Sequence, residues 1–294
     1  MKVSGFTFVK NAVKYGYPVE ASIRSVLPLV DEMIVCLGDS EDETEALIKN
    51  IVSDKIKIIH SVWDKTLSKG GEVLAVETNK ALDATAVDAD WLFYIQADEA
   101  IHEKDHSVIK AAMLQYLNNK PVDGLLFRYN HFYGSYRYTG DGRSWYTKEI
   151  RVIRNNKQIR SYRDAQGFRW DDNRKLKVKE INAAVYHYGW VRSPRVMIKK
   201  INNFNRLYIP GFEKTAEAEK LDKVEQFDYS NVDTLSEFKG THPAVMKSWV
   251  DKEDWGFERD TAVKKFKNAK HRLLYFLNKQ FGWRPFEYRN YIKI

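Results

Sequence analysis

The chain has 294 residues, 44% of them hydrophobic and 30% charged, a balance that suits an ordinary globular protein with ample core. A single cysteine, Cys36, excludes a disulfide framework and fits a reducing cytosol, and no apolar run reaches the roughly 18 residues of a membrane span. No charged-then-apolar leader opens the sequence, so secretion by that route and membrane spanning are both unexpected.

Charge is unevenly spread. Residues 1–100 carry 10 Lys or Arg against 17 Asp or Glu, and the remainder carries 38 against 23. A basic C-terminal portion implies a polyanionic neighbour: phosphate groups, nucleic acid or an anionic membrane face.

Over the first 117 residues strand and helix patterns alternate. Apolar residues predict a strand over 3–9, and Pro18 stands at the first turn of a helix over 19–30. A second strand is expected over 32–37, followed by a capping-box spacing at Ser40-Glu41-Asp42-Glu43 and a helical stripe of Leu47, Ile48, Ile51 and Val52. A strand over 55–61, a helix over 72–86, a strand from Trp91 and a helix over 106–117 complete this half. Such alternation predicts an α/β fold with a mostly parallel sheet flanked by helices. After Pro121 shorter strands are expected at 124–132, 149–154, 158–163 and 181–188, and from Arg195 the chain reads as mostly helical. The expected organisation is one α/β domain over residues 1–194 and a helical C-terminal extension over 195–294 packed on it.

Two segments carry chemistry. Trp91-Leu92-Phe93-Tyr94-Ile95-Gln96-Ala97-Asp98-Glu99 reads as a buried strand ending in adjacent carboxylates. Open α/β sheets bind ligands past the carboxyl ends of their strands, and hard divalent cations favour oxygen ligands there. The turn Leu37-Gly38-Asp39-Ser40-Glu41-Asp42-Glu43-Thr44 gathers four carboxylates at a helix start. They repel a bare phosphate and suit a base, a ribose or a metal, although N-capping by Ser40 also accounts for the composition.

Taken together with Lys10-Asn11 after the first strand, Thr78-Asn79-Lys80-Ala81-Leu82 on a helix and Asp90-Trp91 before Gln96-Ala97-Asp98-Glu99, these pieces resemble the family-2 glycosyltransferases of the GT-A fold, of the bacterial cell-surface glycan type. The resemblance covers about residues 3–190. Gln96 stands where the family has the first Asp of its metal motif, and can bond a ribose hydroxyl without a charge. Leu37 and Gly38 stand where the family has an Asp before Gly-Ser.

The resemblance implies transfer of a sugar from a UDP-, GDP- or dTDP-sugar donor to a hydroxyl of a glycan or lipid-linked acceptor, with inversion, in polysaccharide or glycolipid synthesis. It implies Mg²⁺ or Mn²⁺ as cofactor, held by Asp98 with Glu99 and His187. Gln96, Asp39, Asp42 and Asn79 would face the nucleoside, and Arg192, Lys199 and Lys200 the diphosphate. Asp164 would be the general base by its position in the family layout; Asp171 and Asp172 flank a loop nearby. Phe127, Tyr129, His131, Phe132, Tyr133, Tyr136, Tyr138, Trp145 and Tyr146 divide between core and an acceptor groove, since aromatic faces suit the apolar face of a sugar.

A helix over 261–281 places Ala262, Phe266, Ala269, Leu273 and Phe276 on one face between basic flanks. Packing of that stripe on the domain is the expected arrangement, with peripheral contact to the inner membrane face of a cytoplasmic protein left open by Trp283, Phe286 and Tyr288. Nucleic acid is the less favoured partner. The alternatives are a nucleotidyltransferase, for which the one-glycine stretch 9–16 is a poor triphosphate cradle, and a non-catalytic binding protein for glycan or nucleic acid. No Gly-x-Gly-x-x-Gly follows the first strand, which disfavours a Rossmann dehydrogenase.

Overall fold

The structure, a computed structural model, describes all 294 residues. Alternate residues of the buried strands feed two different cores. Along β1 (Val3–Val9), β2 (Glu32–Gly38) and β4 (Trp91–Tyr94), the side chains of Val3, Val35, Leu37, Trp91 and Phe93 pack on one face of the sheet. Phe6, Ile34, Cys36, Leu92 and Tyr94 pack on the other. Burial on both faces is why these strands read as unbroken apolar runs. The first face is covered by α2 (Val19–Val26), α3 (Thr44–Lys49) and α5 (His106–Gln115); the second by α4 (Glu72–Asp83). A one-turn α1 (Ala12–Tyr15) follows β1 directly.

Strands β4, β1, β2 and β3 (Ile56–Ser61) run parallel in that order. Beyond β4 the sheet turns mixed: β8 (Lys148–Arg154) is antiparallel to β4 and to β6 (Gly124–Tyr133), and β7 (Ser135–Gly140) is antiparallel to β6. The short β5 (Glu99–Ile101) leaves this layer and pairs antiparallel with the long β11 (Leu176–Trp190), which runs parallel beside β6. A hairpin of β9 (Ile159–Tyr162) and β10 (Gly167–Trp170) stands apart as a two-stranded sheet. The α/β class expected from the sequence is present, with a four-stranded parallel block in the first half and a mixed portion beyond it in which β11 is parallel to β6.

The C-terminal part begins with α6 (Pro194–Tyr208) and α7 (Ala216–Asp222), returns a strand β12 (Leu235–Glu237) to β7, and continues through α8 (Lys247–Asp251) and α9 (Ala269–Phe281). It ends in β13 (Tyr291–Lys293), parallel to the start of β11. Two expectations fail here. The helix expected over 261–281 spans only the thirteen residues of α9, and its stripe does not pack inward: Leu273 and Phe276 are exposed and Leu274 is the one buried residue. Ser40 does not cap α3, whose N-cap is Glu43; its Oγ accepts from the Asn11 N–H instead, at 3.0 Å.

Buried Glu149 on β8 illustrates a group that should be legible in solution. Its Oε1 accepts from Gln166 Nε2 at 2.9 Å while its Oε2 has no partner. Burial pushes its pKa up from 4.5 to about 7, with the Arg151 guanidinium only partly opposing. Between those values the folded protein keeps a proton that the unfolded chain has lost, so stability should fall as pH rises through that window. Glu149→Gln, a mimic of the neutral acid, should flatten this slope in urea unfolding measured from pH 4.5 to 8. An unchanged slope would place the titration elsewhere.

Candidate active site

Asp98 lies in the turn between β4 and β5, where its backbone carbonyl accepts from the Tyr188 N–H at 2.8 Å and ties that turn to β11. Its nearly buried carboxylate faces three nitrogens: Lys200 Nζ at 3.2 Å, Arg192 Nη2 at 3.6 Å and His187 Nε2 at 3.7 Å. Burial alone would raise its pKa, but Lys200, His187 and Arg192 outweigh burial and hold it well below the usual carboxylate range. Lys200 and Arg192 reach the site from α6 and from the loop before it. Arg192 is locked by carbonyls, donating to Tyr15 at 2.6 Å, Tyr188 at 3.1 Å and Gly189 at 2.5 Å, which leaves Nη2 turned toward Asp98 with no other partner. Lys200 donates to the Gly189 carbonyl at 2.7 Å, and burial followed by Arg192 pushes its pKa down to about 7.

The tautomer of His187 follows from its neighbour. His131 Nε2 lies 2.8 Å from the Tyr146 carbonyl, which can only accept, so Nε2 carries the hydrogen. Burial drives His131 well below its usual pKa and keeps it neutral, so its Nδ1 must accept from His187 Nδ1 across 3.0 Å. Neutral His187, lowered by burial, therefore presents a bare Nε2 lone pair to Asp98 Oδ1. Two electron-rich atoms 3.7 Å apart, the imidazole fixed from behind, suit two ligands of one cation. Gly189 permits the approach, because a Cβ there would meet the His187 ring and stand 3.2 Å from Asp98 Oδ2. No group of three or more His, Cys, Asp or Glu side chains is placed to hold a metal.

Glu99 must be withdrawn from the metal set. It is fully buried, its Oε1 taken by Arg151 Nη2 at 2.7 Å and the Tyr129 hydroxyl at 2.7 Å, and its Oε2 by Arg151 Nε at 2.9 Å and the Gln96 N–H at 3.1 Å. Arg151 also donates to the Gln166 carbonyl at 2.9 Å. The pair thus braces the Gln96 turn against the loop that carries Asp164.

A cavity of about 1160 Å³ opens over this cluster. That volume is at the upper end of the range for small-molecule pockets, which run to roughly 1,000 Å³. Among the expected residues, Gln96, Asp98, Asp164, His187 and Lys199 line it, as does Lys200. Gln96 Nε2 donates to the Ala165 carbonyl at 3.2 Å. Asp164 sits between Arg163 and Ala165, both at positive φ (56° and 62°), an uncommon backbone for side-chain-bearing residues, and accepts from the Tyr208 hydroxyl at 3.1 Å.

Other expected residues stand outside the lining. Asp39 accepts from Lys10 Nζ at 2.7 Å and from the Trp63 N–H at 3.1 Å, and it is Lys10 and Trp63 that reach the cavity. Asp42 accepts from the N–H groups of Lys14 at 2.7 Å and Thr44 at 3.1 Å, bracing the turn. Asn79 Oδ1 accepts from the Ser161 N–H at 2.9 Å and pins β9 to α4. Arg192 acts from behind Asp98, and Asp172 pairs with Arg174 at 2.5 Å. Of the nine aromatic and histidine residues expected to divide between core and groove, only Tyr146 lines the cavity; Phe127, Phe132, Tyr133 and Tyr136 are core. Sequence reading missed His131 as the partner of His187, and Trp63 and Tyr208 altogether. The alternation of 127–133 carried a signal for His131; nothing local marked the other two.

No protein-family model matches the chain, and no curated protein does. Among solved structures the chain is similar to S. aureus TarS 1–349, with a TM-score of 0.36 and 14% identity, covering 69% of this chain and 64% of that one. The same protein in complex with UDP gives 0.36 and 15% over the same shares. Glucosyl-3-phosphoglycerate synthase from Mycobacterium tuberculosis, in complex with Mn²⁺, UDP and glucosyl-3-phosphoglycerate, gives 0.29 and 20%, covering 45% of this chain and 44% of that one. The chain thus spans less than two thirds of the length of the TarS fragment it matches.

Proposed function

We propose that the chain is a nucleotide-sugar-dependent glycosyltransferase that inverts the anomeric carbon. The observation that carries the reading is the Asp98 cluster: a carboxylate in the turn after β4, a fixed imidazole lone pair and the buried Lys200 amine converging on a cavity of about 1160 Å³. A leaving nucleoside diphosphate gains negative charge as its bond to the sugar breaks, and these groups are suited to meet it.

Asp98 Oδ1 and His187 Nε2 would hold Mg²⁺ or Mn²⁺, which supplies Lewis-acid stabilisation of the diphosphate. Lys200, with Lys199 nearer solvent, adds cationic donors, and residues 195–294 thereby serve the domain formed by 1–194 as an extension that completes its site. Gln96 bonds a ribose hydroxyl, and Trp63 with Lys10 forms a face and an edge for a base. In the transfer itself the acceptor oxygen forms a bond to the anomeric carbon, its proton passes to the Asp164 carboxylate, and the carbon–oxygen bond to the diphosphate breaks. The donor is a UDP-, GDP- or dTDP-sugar and the acceptor a glycan or lipid-linked hydroxyl.

Release of nucleoside diphosphate from a panel of nucleotide sugars tests the reading, alongside Asp164→Asn. The variant should lose ~10²–10⁴-fold in kcat, the usual worth of a general base, with donor affinity unchanged. Equal turnover by the two proteins would remove Asp164 from the chemistry. No release from any donor, with glycan or nucleic-acid binding intact, would remove the transferase reading.

A further inference from the structure

The C-terminal segment presents an apolar surface that the fold leaves uncovered. On α9, Ala269, Leu273, Phe276 and Gln280 recur at i, i+4, i+7 and i+11, which places them on one face, and all four are exposed. Phe281 is 71% exposed, Trp283 59% and Phe286 89%, continuing the patch past the helix end. Scattered exposed hydrophobics are ordinary, but a contiguous run of large aromatic and aliphatic side chains marks an interaction site.

These side chains are held in place. Arg143 Nη2 donates to the Pro285 carbonyl at 2.7 Å and Arg284 Nη2 to the Trp145 carbonyl at 2.8 Å, fixing the segment on the loop that carries Trp145 and Tyr146. Lys279 pairs with Asp141 at 2.7 Å, and the Tyr275 hydroxyl donates to the same carboxylate at 2.9 Å. Phe286 has φ +60°, an unfavourable backbone for a bulky residue, and its exposed ring lies with the Lys270 ammonium 5.8 Å from its centroid.

Charge identifies the partner. Residues 261–294 hold nine Lys or Arg and one acid, a net of +8, against a net of +8 for the whole chain, so residues 1–260 are neutral in sum. Lys270 and Arg272, both exposed and in no ion pair, flank the exposed stripe. A second copy of the chain would set nine cations against nine. A nucleic acid would satisfy the cations and leave the Leu273–Phe276 stripe without a role. An anionic bilayer satisfies both, taking aromatic and aliphatic side chains below its headgroups and cations among them. No helix is long and apolar enough to cross a membrane, so the contact would be peripheral.

We propose that α9 and residues 282–288 form a docking surface for an anionic phospholipid bilayer. The segment behind this surface is bonded to the loop whose Tyr146 lines the cavity. Docking is independent of the transferase reading, because binding needs no turnover.

Flotation of the full chain with vesicles of phosphatidylcholine alone, and of phosphatidylcholine with phosphatidylglycerol, tests it. Binding is expected to the anionic vesicles and to fall with added salt. The triple variant Phe281→Ser, Trp283→Ser, Phe286→Ser should lose it by ~tenfold or more, from the apolar area each ring buries. Lys270→Glu with Arg272→Glu should weaken it by a further independent route. All substituted residues are exposed, and unchanged circular dichroism and Tm keep loss of binding distinct from loss of fold. Three results would overturn the proposal: no binding to anionic vesicles, binding untouched by the triple variant, or binding outcompeted by RNA. Self-association in sedimentation that the triple variant abolishes would overturn it in favour of a second copy.

Discussion

Asp98→Asn is expected to reduce turnover by ~10³-fold or more, the scale on which losing a group that organises charge stabilisation is felt. The isosteric change keeps the shape of the turn and removes the one anion facing Lys200, Arg192 and His187. It should also destabilise the fold by about 3–5 kcal/mol, because the buried Arg192 guanidinium loses its counter-charge and its Nη2 has no second partner. The sign with pH follows from the depressed pKa of Asp98: its contribution is present above the ordinary carboxylate range and is lost as pH falls toward the acid limb. The variant should therefore show a shallower acid limb in urea unfolding. Adding Lys200→Met should recover part of the stability and none of the activity. Recovery of activity in the double variant would mean that Lys200 and Asp98 serve only each other.

The second large effect is expected at the Glu99–Arg151 pair. Both side chains are fully buried and joined by two hydrogen bonds, so removing one partner strands a charge in the core. Glu99→Leu or Arg151→Leu alone should cost about 3–5 kcal/mol, while the double Leu variant should recover part of that cost, the remainder being the Tyr129 hydroxyl, Gln96 N–H and Gln166 carbonyl left without partners. Activity is expected to behave differently. The pair anchors the Gln96 N–H on one side and the Gln166 carbonyl on the other, so the double variant should fold with the Gln96 turn and the Asp164 loop released. A lower kcat in a double variant that remains folded at the assay temperature would identify the pair as positioning residues. Full activity in a stable double variant would show that it serves the fold alone.

How much of this was legible depends on the range of the interaction. The strands at Val3–Val9 and Glu32–Gly38 were readable because both faces are covered, which leaves an apolar residue at nearly every position. The strand from Trp91 was readable for the same reason, but it ends at Tyr94, and the carboxylates fall in a turn and on β5. Five short strands, β5, β7, β10, β12 and β13, were not found, since three to six residues carry too little periodicity to stand out from loop. The roles of Asp98 and Glu99 could not be told apart locally. They are neighbours in sequence, and what separates them is that Lys200 approaches one and Arg151 the other, 102 and 52 residues away. The α9 stripe is exposed although its pattern predicts core, because amphipathicity reports that a face is apolar and says nothing of what covers it.

Calorimetric titration tests most directly whether a nucleoside diphosphate binds at the Asp98 cluster. Purified protein would be titrated with UDP, GDP, CDP and dTDP, each with and without Mn²⁺, beside Asp98→Asn. One diphosphate is expected to bind, more tightly with Mn²⁺, and the Mn²⁺-dependent gain should vanish in the variant. Binding that ignores both the metal and Asp98, or no binding of any nucleotide, would contradict the account.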